Sequence, residues 1–146
     1  ETEEDFQQTL QFIEKNKKYI TNAYPSRTYF TIEQNSYIAS NLSEFGMIWP
    51  KGVHGQYWVS EDNTNNYLVR LSRCTRFSET AIRLGINIAQ GVSSVKLDEA
   101  LNTAIYYKNI GKYEEAIKFY EKALEYDPKS VFIIDELNCV KNKLGE

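Results

Sequence analysis

The sequence is short of the residues that most often carry chemistry. It has one histidine, His54, and two cysteines, Cys74 and Cys139. These three have no metal-ligand spacing, and two cysteines do not make a disulfide framework. A Cys74–Cys139 bridge would tie the two halves of the chain together, but Cys139 reads better as a small apolar residue buried in a helix. His54 sits near Pro50 and Gly52, as in a loop, and no neighbouring nucleophile makes it a general base. The seven glycines are scattered among turns and form no phosphate-binding loop. No run approaches the roughly 20 apolar residues of a membrane span. Basic residues are not in excess either: 17 Lys and Arg against 20 Asp and Glu leave a net charge of −3. Such a balance argues against general nucleic-acid binding. Catalysis therefore has no residue-level support, no cofactor or metal is implied, and the chain reads as non-enzymatic.

What is present describes a globular protein. Hydrophobic residues make up 42% and charged residues 25%, which separates the chain from a disordered one. At 146 residues it is one ordinary domain, or a small domain with an appendage. It begins at Glu1 rather than Met, as a processed or excised piece does. The compartment stays open: cytoplasmic, or extracytoplasmic with a signal or anchor ahead of Glu1.

Residues 1–22 read as an amphipathic helix, with Phe6, Leu10, Ile13 and Ile20 on one face, broadened by Phe12 and Tyr19. Its acids lie at the start and Lys15, Lys17 and Lys18 near the end, complementing the helix dipole. Tyr24-Pro25-Ser26 breaks it, and the β-branched, aromatic run Arg27–Ile32 predicts a short strand. Ser36 would cap a helix through Phe45, stopped by Gly46, before a loop over 47–55. Alternation over 56–61 and 66–72, around Asp62-Asn63-Thr64-Asn65, predicts a β-hairpin. Ser78 would then cap a helix over 78–90, and Val92–Val95 would be a boundary. Arg70, Arg73 and Arg76, with Arg83 following, form a basic cluster, read as a solvated edge or, more sharply, an anion-binding patch. Asn41-Leu42-Ser43 spells a glycosylation sequon, meaningful only in a secreted eukaryotic protein.

The C-terminal third is more regular. Leu97, Ala100, Leu101, Ala104, Ile105 and Lys108 recur at three- and four-residue steps, and Gly111 interrupts them. A second helical run passes through Tyr113, Ala116, Ile117, Tyr120, Ala123, Leu124 and Tyr126, and Asp127-Pro128 ends it. A third, from Val131 to Leu144, has apolar residues at Val131, Ile134, Leu137, Val140 and Leu144. Short turns make neighbouring helices antiparallel.

This stretch, Leu97 to Ser130, resembles a tetratricopeptide repeat, a 34-residue helix–turn–helix unit. The family's small and aromatic positions fall on Ala104, Tyr107, Ala116, Tyr120 and Ala123, with Gly111 and Tyr113 at the turn and Pro128 closing the unit. Ala100 stands where the family's first aromatic would be. The resemblance implies protein-protein interaction: helix A would line a groove for a peptide or partner protein, offering Asp98, Leu101, Asn102, Ile105, Lys108 and Asn109. It also implies that Asn102 bonds peptide backbone. Leu101 and Ile105 occupy positions where the chaperone-tail carboxylate clamp places polar groups, so that clamp is not expected.

The predicted class is α+β. An N-terminal helix with a small antiparallel β-hairpin module over 1–92 would precede a repeat with a capping helix over 93–146, packed on helix 78–90. The N-terminal part is faintly similar to pilin-like proteins, through its lead helix and its hairpin. That likeness leaves an alternative function: the soluble domain of a membrane-anchored or secreted surface or secretion-apparatus subunit.

Overall fold

Thr2 starts the first helix by accepting a bond from the Asp5 amide, while the Asp5 carboxylate accepts from the Thr2 amide. This reciprocal capping satisfies amides that a helix otherwise leaves orphaned. The computed structural model describes residues 1–25, 30–89 and 91–145. The chain divides into two units, Glu1–Ala89 and Gln90–Glu146. Its class is α+β, helices with one small two-stranded antiparallel sheet.

In the first unit, helix α1 spans Glu3–Asn16 and buries Phe6 and Ile13, two turns apart. It ends earlier than the expected position 22, in a 3-10 turn over Lys17–Tyr19. Phe12 and Tyr19 do not broaden its buried face: they are 62% and 75% exposed. Only the stripe against the helix over Tyr67–Arg83 is covered, and these two residues lie outside it. The strand expected over 27–32 falls mostly outside the described residues, and its described end, Phe30 to Ile32, is irregular. Ser36 caps helix α2, Tyr37–Ser40, as expected. That helix breaks at Asn41 into a 3-10 turn over Leu42–Phe45, and Gly46 stops the turn in a left-handed conformation.

The hairpin expected over 56–61 and 66–72 does not form. Strand β1, Met47–Ile48, pairs instead with strand β2, Val59–Ser60, in antiparallel register. Residues 67–72 begin helix α3, Tyr67–Arg83. The polar run before it is a capping turn rather than a hairpin loop. Asp62 Oδ1 accepts from Ser60 Oγ, the Thr64 amide and Thr64 Oγ1, and Asn66 Oδ1 then caps the helix through the Val69 amide. Ser78, expected as an N-cap, lies inside α3 and donates to the Cys74 carbonyl. The helix stops at Arg83, with Gly85 left-handed, so residues 84–89 are not helical. The pilin-like likeness rested on the lead helix and that hairpin, and only the helix is present.

Polar bonds hold this unit together across long sequence separations. After α1, the Ala23 amide donates to the Asn87 carbonyl at 2.8 Å, and the Asn87 amide donates to that of Thr21 at 3.0 Å. Trp58 is buried and its indole donates to the Phe30 carbonyl at 2.9 Å. Gly55 is required by close approach, because a Cβ there would lie 2.0 Å from the Ile32 carbonyl oxygen.

In the second unit, helix α4 spans Val92–Asn109, so the expected boundary at Val92–Val95 is its first turn. Gly111 ends it at φ +77°, with the Lys112 amide bonded to the Tyr107 carbonyl and the Gly111 amide to that of Lys108. Both bonds satisfy helix-end carbonyls, and the left-handed position favours glycine. Helix α5, Tyr113–Tyr126, and helix α6, Val131–Leu144, follow. One core runs through all three, built from Ala100, Ala104, Ala116, Tyr120, Ala123, Ile133, Leu137 and Val140. Alanines at these crossings let backbones approach, and Tyr120 fills the space between α5 and its neighbours. On α6 the covered stripe is Ile133, Leu137 and Val140; of the expected positions Leu137 and Val140 are covered, while Val131 is 69% exposed and Ile134 and Leu144 are exposed as well. Both stripes have helical spacing, and only the position of α5 selects between them.

Candidate functional site

The expected binding residues all lie on α4, and the structure places them on one stripe. Its opposite side is spent on the core, through Ala100, Ala104 and the Tyr107 ring, which stacks on Phe119 at 5.6 Å. Asp98, Leu101, Asn102, Ile105 and Lys108 are half-buried, while Asn109 is exposed. The Asn102 amide group donates to the Asp98 carbonyl at 2.8 Å, one turn back on the same helix. Its Oδ1 remains as an acceptor.

Lys108 has a structural partner. Its ammonium bonds Glu136 Oε2 on α6, and the hydroxyl of the fully buried Tyr120 donates to the same oxygen at 2.8 Å. Burial alone would push the Glu136 carboxyl up. The bonds from Lys108 and Tyr120, with the charges of Lys108 and Lys143, outweigh it and hold that carboxyl below its ordinary value. One carboxylate thus ties all three helices where Lys108 of α4 reaches α6.

Phe132, Asp135, Glu136 and Cys139 on α6 extend the surface. They are spaced as one helix stripe, on the side of α6 that carries the Lys108 bond, and Phe132, Asp135 and Cys139 are exposed. Sequence reasoning missed them, although a signal was there: each lies 34 residues after Asp98, Leu101, Asn102 and Ile105 respectively, the repeat length itself. Cys139 is exposed rather than buried as expected, and no disulfide joins Cys139 to Cys74.

Other candidates are used up locally. Arg70, Arg73 and Arg76 stand three residues apart on α3, not on a strand edge. Arg70 donates to the carbonyls of Gln56 and Trp58 at 2.8 and 2.9 Å and to Asn65 Oδ1, over the Trp58 ring. Buried Arg73 donates to the Glu1 carbonyl and pairs with Glu3, and Arg76 pairs with Glu3 at 2.8 Å. The Arg76 bond, then Gln7, holds the Glu3 carboxyl down at about 2. These guanidiniums are structural ties, which argues against an anion-binding patch. An open groove of about 380 Å³ beside them, lined by Phe6, Tyr24, Phe30, Arg73 and Phe77, has its charged rim occupied in the same way. His54 caps a short turn, its Nδ1 accepting from the Gln56 amide. Among the described residues, no group of acids, cysteines and histidine could hold a metal ion, and no helix is long and apolar enough to cross a membrane.

Residues 96–130 match the family model of the tetratricopeptide repeat. No curated protein and no solved structure matches the chain. The matched segment covers α4, α5 and the turn into α6, so this part of the chain is a tetratricopeptide repeat. Such repeats are scaffolds for protein–protein interaction.

Proposed function

We propose, for a chain whose residues 96–130 form a tetratricopeptide repeat, that it is a non-enzymatic docking protein. A peptide or partner-protein segment binds on the α4 stripe of Asp98, Leu101, Asn102, Ile105, Lys108 and Asn109, continued by the matching stripe of α6. The observation that carries this is the division of labour on α4. The core takes one side fully, while two aliphatic residues at its edge, Leu101 and Ile105, pack against it yet stay half-buried among polar neighbours. An apolar centre with a polar rim is the anatomy of a binding surface. In this reading Asn102 Oδ1 accepts from the partner's backbone and Ile105 receives an apolar side chain. Lys108 acts as a strut through Glu136 rather than as a direct ligand.

The test is to identify a partner by crosslinking and then measure its affinity for Asn102→Ala and Ile105→Ala. Losing a buried hydrogen bond costs about 1–3 kcal/mol, about a tenfold to hundredfold loss of affinity. If both variants fold normally and bind as before, the stripe is not the site.

A further inference from the structure

Building on that docking surface, we infer that it selects an extended peptide in which basic residues alternate with apolar ones. The observation is an imbalance in which charges are already spent. The stripes of α4 and α6 carry two lysines. Lys108 is bonded to Glu136, and Lys143, whose charge also acts on Glu136, holds its ammonium 5.3 Å from the centre of the Tyr113 ring. The carboxylates have capacity left. Asp135 is exposed and in no ion pair among the described residues. Both bonds to Glu136 land on Oε2, which leaves Oε1 as an acceptor.

An acidic peptide would have to pull Lys108 away from Glu136 and bring like charge against Asp135. A basic one breaks nothing: its ammonium or guanidinium meets Asp135 and Glu136 Oε1, while its apolar residues meet Leu101, Ile105 and the 54% exposed Phe132. Alternation suits an extended strand, whose successive side chains point to opposite sides. The pairing is solvent-accessible, so it sets preference rather than supplying most of the affinity.

The experiment uses the full chain, isotope-labelled, and three capped six-residue peptides in which leucine alternates with lysine, glutamate or serine. At low salt the lysine peptide should shift amide resonances over 101–105 and 132–139. It should bind about fivefold tighter than the serine peptide, a difference of about 1 kcal/mol, and the glutamate peptide should bind weakest. Asp135→Lys, an exposed change, should reverse the order of the lysine and glutamate peptides. If that variant does not fold, Asp135→Asn must still reduce the lysine peptide's advantage. Equal binding of the three at these resonances, or a preference for glutamate, overturns the charge inference and leaves the docking surface standing. No shift over those residues with any peptide overturns both.

Discussion

The two units of this chain are held together by different kinds of interaction. In Gln90–Glu146 the core is four alanines and one tyrosine at helix crossings with Ile133, Leu137 and Val140 of α6, and the Glu136 carboxylate receives bonds from two helices. In Glu1–Ala89 the irregular segments between helices are longer, and side chains hold backbone carbonyls directly: Arg70 on Gln56 and Trp58, Trp58 on Phe30, Arg73 on Glu1. A repeating helical unit meets its backbone hydrogen bonds internally and needs only shape to pack. Irregular chain leaves carbonyls over, and long donors must reach them.

Breaking each unit by its own principle should sharpen that contrast. The largest effect is expected from Tyr120→Ala. It removes the largest fully buried side chain and the hydroxyl bonded to Glu136, for a cost of about 3–5 kcal/mol, read as a lowered urea midpoint in far-UV circular dichroism. Arg70→Ala should cost about 2–3 kcal/mol, because the Gln56 and Trp58 carbonyls lose a charged donor. Both tryptophans, Trp49 and Trp58, lie in the first unit, so fluorescence reads this loss where it occurs. Arg70→Lys should not restore it, since an ammonium cannot span the same forked set of acceptors. If Arg70→Ala leaves the fluorescence transition in place, the first unit does not depend on its side-chain ties.

Ala116→Leu should cost about 1–3 kcal/mol by overpacking a site with no exposed surface. An unchanged urea midpoint would mean that the α4–α5 crossing is looser than the repeat pattern requires. The smallest effect concerns pH. The Glu136 carboxyl is lowered in the folded state, so its contribution is fully present above the ordinary value of 4.5 and is lost as pH falls through the lower folded value. The stability difference between the wild type and Glu136→Gln should therefore be constant near neutrality and shrink below about pH 4.5. A difference that does not change with acid would show that the carboxylate's charge contributes nothing.

The local pattern alone determined most of the repeat. Ala104, Ala116, Ala123 and Tyr120 stand at intervals that only one helix–turn–helix packing satisfies, and Gly111 and Pro128 mark its turns. The α4 stripe that we propose for docking was legible for the same reason, as the side where the core is only partly covered. Tertiary structure decided the rest. Tyr67, Val69 and Leu71 alternate like a strand, yet Asn66 caps a helix there, and Arg70 reaches back one turn before the sheet to hold it. Val131–Ile134 and Ile133–Leu137–Val140 are both helical stripes, and only contact with α5 buries the second. The Lys108–Glu136–Tyr120 junction joins residues from three helices. Periodicity reports which residues share a face of one element. Which face is covered, and which charges are spent, depends on neighbours distant in the chain.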